Sequence, residues 1–70
     1  MIKCHLSRMM GEKKLKISDV AKDIGVNRGT ITRLYQETAV RVEFEVLEKL
    51  CIYFDCDIAE LLEVKKLRSN

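Results

Sequence analysis

Arg28 and Arg33 lie in a run of small polar residues, NRGTITRLYQ, at positions 27–36. If this run is helical with Ile31 and Leu34 turned inward, Gly29, Thr32, Arg33 and Gln36 point away from the core. Arg28 and Thr30 then lie on the flanks. An α-helix fits the major groove of DNA, where arginine donates bidentately to guanine O6 and N7. Arg33 is the first candidate for reading a base, and Arg28 the second. Gln36 suits adenine or a phosphate, and Gly29 lets the backbone come close. Asn27, Thr30 and Ser18, at helix starts with free N–H groups and small polar side chains, suit phosphate contacts. The competing reading is a solvated helix face that binds nothing.

The elements that must position these residues are legible just upstream. Ile17 to Gln36 reads as two short helices joined at Gly25. Ser18 is expected to N-cap the first, because its hydroxyl can accept from an orphaned backbone N–H. Asp19 follows in the first turn, where the helix dipole favours negative charge. Val20, Ala21 and Ile24 share one face, and Gly25 supplies the left-handed residue at which helices commonly end. Asn27 is expected to cap the second helix, whose apolar face is Ile31, Leu34 and Tyr35. Helices joined this tightly cross steeply around a small residue, and Ala21 is placed to be it. The arrangement is a helix-turn-helix.

Charge is divided unevenly along the chain, which fits either the DNA reading or ordinary surface scatter. Residues 1–41 hold nine Lys/Arg against four Asp/Glu, whereas residues 42–70 hold four against seven. The basic half is the half with the helix-turn-helix, as expected of a module that docks on phosphates. The chain has 70 residues, 47% of them hydrophobic and 34% charged, with no proline. These values predict one small helical domain spanning residues 1–70, with a limited core, for which dimerisation is a reasonable expectation. No apolar run reaches the length of a membrane span, and no signal-peptide pattern opens the chain, so a cytoplasmic setting is expected.

Along the rest of the chain, Leu6, Met9 and Met10 mark a short first helix from about His5 to Lys13, weakened by Gly11. Lys13, Lys14 and Lys16 make a basic connector. After a loop from Glu37 to Val42, the stripe Phe44, Val46, Leu47, Leu50, Cys51 and Phe54 predicts a broad helix forming the central wall of the core. Asp57 and Glu60 have capping-box spacing ahead of Ile58, Leu61 and Leu62. Val64 and Leu67 alternate with charges toward Asn70. The prediction is all-α, five short helices around one core, with possible short β extensions. Met1–Cys4 and Leu62–Lys66 are candidates to pair as strands, within one chain or between two.

Other chemistries find little support. Cys4, His5, Cys51 and Cys56 are the one candidate metal set, and they lack any usual ligand spacing. Three cysteines, an odd number, fit reduced thiols. No serine or cysteine nucleophile has a base and an orienting group, so no catalytic activity, cofactor or metal is expected.

With these residues in view, the chain resembles the Cro/C1-type helix-turn-helix family, also called phage-repressor-like or XRE-type. Within that family it looks particularly like the compact single-domain bacterial regulators. The resemblance rests on Val20-Ala21, Ile24-Gly25-Val26, Thr30-Ile31, Leu34-Tyr35, and Arg41 followed by FEVLEKLC and DCDIAELL. It covers roughly residues 5 to 63, and it implies a lambda-repressor-like five-helix domain from a bacterium or a phage. It also implies DNA contact by the third helix and dimers on palindromic sites. Base readers are implied at Arg28, Gly29 and Arg33, and phosphate contacts at Ser18, Asn27, Thr30 and Arg41. The chain departs from the pattern after the third helix, where Gln36-Glu37-Thr38-Ala39-Val40 replaces the usual Asn-Gly and lysines. Glu37 is therefore expected to repel phosphate and lower affinity. Lys14 stands at a turn position where glycine is usual.

The expected function is a sequence-specific DNA-binding regulator. Repression by occluding a promoter is the default mechanism, since 70 residues leave no room for a second, effector-binding domain. The alternative is an antitoxin-like or other protein-binding module with secondary DNA binding.

Overall fold

The computed structural model describes residues 1–66, so the expected alternation at Leu67 and the segment to Asn70 lie outside the described residues. In chain order the elements are β1 (Ile2–Cys4), α1 (Leu6–Glu12), α2 (Ile17–Ile24), α3 (Arg28–Tyr35), α4 (Phe44–Phe54), α5 (Ile58–Leu61) and β2 (Leu62–Val64). Five helices and a two-stranded sheet are the all-α helix-turn-helix fold with short β extensions. The strands pair antiparallel within the chain, Ile2 opposite Val64, Lys3 opposite Glu63 and Cys4 opposite Leu62.

The core draws on every helix. Leu6, Met10, Val20, Ile31, Leu50 and Leu61 are fully buried, with Ala21, Leu34, Val46 and Phe54 closing around them. Ala21 is buried on α2, and α2 packs against α3. On α4 the buried residues are Val46, Leu50 and Phe54, and Phe44 is 88% exposed, contrary to the expected stripe. The reason is angular. At about 100° per residue, Phe44 lies about 120° around the helix from Leu50, off the face that meets the core. Tyr35, expected inward, is 40% exposed; it is the last residue of α3.

Helices α1 to α4 end in the same way. Each closes with a left-handed residue, at Lys14 (φ 55°), Gly25 (φ 69°), Glu37 (φ 60°) and Asp55 (φ 52°). At each end the next amide reaches back five residues: Leu15 to Met10, Val26 to Ala21, Thr38 to Arg33 and Cys56 to Cys51, all at 2.9–3.0 Å. This is the six-to-one bond of a Schellman motif. One of the four ends uses glycine. The absence of glycine after α3 therefore leaves the geometry of the turn intact.

Helix starts differ from expectation at α2. It begins at Ile17, with Lys16 in extended conformation as the N-cap residue. Asp19 Oδ2 accepts from the Lys16 amide at 3.0 Å. Ser18 is thus an exposed residue inside the first turn rather than the cap. The carboxylate of Asp19 reaches back over the turn and satisfies the amide that would otherwise be orphaned, which fixes the start two residues early. Asn27 caps α3 as expected, its Oδ1 accepting from Gly29 N at 2.7 Å. Glu60 accepts from the Asp57 amide at 2.9 Å at the start of α5.

Candidate nucleic-acid interface

Helix α3 turns Ile31 and Leu34 into the core, and this orientation decides what its other side offers. Arg28, Arg33 and Gln36 are exposed, with Gly29, Thr30 and Thr32 half-exposed between them. The outward residues expected from spacing are therefore outward. Thr32 Oγ1 donates to the Arg28 carbonyl at 2.9 Å. That bond fixes the Thr32 rotamer, so its hydroxyl is engaged with the helix itself.

Gly29 has a sharper role than permitting close approach. A Cβ added there would stand 3.0 Å from Asn27 Oδ1 and 3.4 Å from Arg33 Nη1. The missing side chain makes room for the capping carboxamide and for the Arg33 guanidinium, which folds back over the first turn of α3. Arg33 Nη2 lies 3.5 Å from Thr30 Oγ1, a distance at the limit of a hydrogen bond. Asn27, Gly29, Thr30 and Arg33 thus form one packed group at the start of the helix.

Two shallow recesses flank this helix. One is lined by Thr30, Arg33 and Arg41 together with Val42, Glu43 and Val46. Arg41 comes from the loop before α4, and the fold places it in the same recess as Arg33. The other recess is lined by Lys16, Ser18, Arg28 and Tyr35 over an apolar floor including Leu15 and Ile17. Besides an arginine of α3, each recess holds a hydroxyl and a second cation, Thr30 with Arg41 and Ser18 with Lys16, the combination that phosphate oxygens accept from. Lys16 was not singled out as a phosphate contact from sequence. Its signal was present in the basic connector, but its place beside Arg28 depends on how α2 and α3 cross. Glu43 in the first recess tempers the positive charge there.

Glu37 does not stand free beside this face, as expected from sequence. Its Oε1 accepts from Cys4 N at 3.1 Å, and its Oε2 lies 3.8 Å from Lys3 Nζ. The acid at the exit of α3 is turned onto β1 and partly neutralised there. The cysteines and His5 are likewise engaged elsewhere. Cys4 is buried, where loss of hydration raises its thiol pKa. His5 Nε2 lies 2.9 Å from Glu63 Oε1. Cys56 is pushed up to about 11 by burial and by neighbouring Cys51. Among the described residues no three His, Cys, Asp or Glu side chains converge as a metal site would require. No helix among them is long and apolar enough to cross a membrane.

No curated protein matches the chain. The family model of the Cro/C1-type HTH DNA-binding domain matches residues 5–66, which takes in every element from α1 to β2 and both recesses beside α3. The chain belongs to the Cro/C1-type helix-turn-helix DNA-binding domain family.

Proposed function

We infer that this DNA-binding protein is a cytoplasmic, sequence-specific transcriptional regulator, and a repressor. In this reading it places α3 in the major groove and binds a palindromic operator as a homodimer. The observation that carries the reading is the pair of cation-and-hydroxyl recesses on either side of the exposed face of α3. A helix lowered into a groove is flanked by two phosphate backbones, and groups of this kind on both flanks fit that geometry.

The roles divide accordingly. Arg33 and Arg28 read guanine edges, while Thr32 offers its methyl to a thymine methyl and Gln36 pairs with adenine. Gly29 keeps the Arg33 side chain in place and the backbone close. Ser18, Asn27, Thr30 and Arg41 hold phosphates, joined by Lys16. Asn27 uses its oxygen for the cap, which leaves its amide hydrogens for an anion. Repression follows from occlusion of the promoter by the bound protein.

The test is fluorescence anisotropy on a random duplex pool at several salt concentrations. Arg33→Ala is expected to relax sequence preference at one position, and Arg41→Ala to weaken all sequences evenly and flatten the salt slope by about one unit. Absence of salt-dependent binding overturns the reading.

One observation favours a second reading, an antitoxin-like or other protein-binding module with secondary DNA binding. Phe44 is 88%, Ile52 73% and Ile58 49% exposed on α4 and α5. Ile52→Asp and Ile58→Asp that leave DNA binding intact but abolish the regulatory effect in cells would support this second reading.

A further inference from the structure

The ends of α1, α2 and α4 share one backbone geometry but not one kind of side-chain pair. In a Schellman motif, the residues joined by the six-to-one bond lie where an apolar contact commonly closes the turn. At these two positions α1 has Met10 and Leu15, and α2 has Ala21 and Val26. At the end of α4 the same positions fall to Cys51 and Cys56, the Cys56 amide donating to the Cys51 carbonyl at 2.9 Å. Asp55, at φ 52°, makes the turn between them, and its amide donates to Ile52 O at 3.3 Å. Two thiols thus stand where α1 and α2 place apolar side chains.

Both cysteines are free and half-buried, and both line one shallow recess with Ile52, Asp55, Asp57 and Glu60. The Cys51 sulfur is close enough to raise the Cys56 thiol, second to lost hydration. What the pair can hold follows from the number and softness of its donors. Glu60 is turned back onto the Asp57 amide at 2.9 Å, and no three His, Cys, Asp or Glu side chains converge among the described residues. Calcium or structural zinc, which take four or more ligands, are therefore not served. Two adjacent sulfurs serve a soft ion that accepts two-coordinate ligation, and thiolates select monovalent copper. The carboxylates around the recess add a negative field that favours a cation.

We propose that Cys51 and Cys56 form a two-sulfur site for a soft monovalent cation, copper(I), which clamps the end of α4 to the turn leading into α5. On binding, both S–H bonds break, two copper–sulfur bonds form, and two protons pass to water. No electron is transferred. The recess shares no residue with the two beside α3, so the site stands independently of the DNA reading.

The test is anaerobic titration of the reduced full chain with copper(I), supplied as its acetonitrile complex, against a chromogenic copper(I) chelator. One copper per chain is expected, with an ultraviolet thiolate-to-copper charge-transfer band. Cys51→Ala and Cys56→Ala, checked for folding by circular dichroism, remove one ligand each. Each is expected to weaken binding by more than the roughly 10–100-fold typical of losing a supporting group. A second measurement needs no variant and decides the matter should either fail to fold. Bound copper is expected to shield Cys51 and Cys56 of the wild-type chain together from alkylation by iodoacetamide, read by peptide mass spectrometry. No copper retained against the chelator, one copper per two chains, or undiminished binding by either folded variant each overturns the site. So does alkylation of the two cysteines at the same rate with and without copper.

Discussion

The carboxylate of Glu37, at the exit of α3, accepts the backbone amide of Cys4 in β1 at 3.1 Å. This bond connects the end of α3 to the terminal sheet and holds an acidic side chain against β1. It also depends on backbone shape. Glu37 takes φ 60°, and that left-handed turn directs its side chain at β1.

Glu37→Ala removes the acceptor and is expected to cost about 1 kcal/mol, which lowers Tm by about 4–8 °C in a domain of this size. Glu37→Gln retains an acceptor and is expected to keep most of that stability. It loses only the 3.8 Å pairing with Lys3, an exposed ion pair of little value. Thermal melts of the two variants give the comparison. Equal losses would mean that the Cys4 bond contributes nothing.

Lys14 and Gly25 close α1 and α2 with the same handedness, at φ 55° and φ 69°. Substitutions at the two are expected to have opposite signs. Lys14→Gly relieves left-handed strain and should stabilise by up to about 1 kcal/mol, offset in part by chain entropy. Gly25→Ala introduces the strain and should cost about 1–2 kcal/mol. Denaturant melts with unchanged m-values would measure both.

Gly29→Ala separates stability from recognition. Alanine gains about 1 kcal/mol of helix propensity, but its Cβ would press on Asn27 Oδ1 at 3.0 Å and weaken the cap by a similar amount. Little net change in Tm is expected. The same Cβ meets Arg33 Nη1 at 3.4 Å, so, with Arg33 reading a base as proposed, sequence preference in a selection from random duplexes should shift at that base. An unchanged selected site would show that Arg33 does not need this position.

Tyr53 Oη donates to Asp23 Oδ2 at 2.6 Å and ties α4 to α2. The hydrogen bond to Asp23, with smaller contributions from lost hydration and from the Asp23 and Asp19 charges, raises the phenol pKa. The folded state favours the protonated phenol. Its contribution to stability is therefore complete below the unfolded-state pKa and is lost as pH rises through the folded-state value. The protein has two tyrosines, so in a Tyr35→Phe background an ultraviolet titration reports Tyr53 alone. Asp23→Ala should return it toward the ordinary phenol range.

Much of the fold is written in local patterns. The apolar spacing of Val20, Ala21 and Ile24, the glycine at 25 and the cap at Asn27 act within a few residues of one another, and each does what its chemistry requires. The strand pairing was legible only as a candidate, since short β-branched runs do not say what they pair with. Phe44 was misplaced because an apolar residue at the edge of a stripe looks the same in sequence as one at its centre. The start of α2 was misassigned to Ser18 because two residues competed for the capping role, and the Asp19 carboxylate reaches the earlier amide. On the candidate site, the outward face of α3 followed from periodicity alone. The joining of Arg41 to Arg33, of Lys16 to Arg28, and of Glu37 to Cys4 depends on how separate elements pack. None of these pairings is adjacent in sequence.

The β1–β2 sheet also sets an order of events in folding. Its pairs join residues about 60 positions apart, as in Ile2 with Val64, whereas helices α1 to α4 are closed by bonds spanning five residues. Entropy makes long loop closures slow, and contacts of high sequence separation form late. The helical body is thus expected to collapse first, and the sheet to zip shut last, held by Glu37 from one side and the His5–Glu63 pair from the other. The same ribbon will be the earliest to open under denaturant, so loss of the sheet would precede loss of α3.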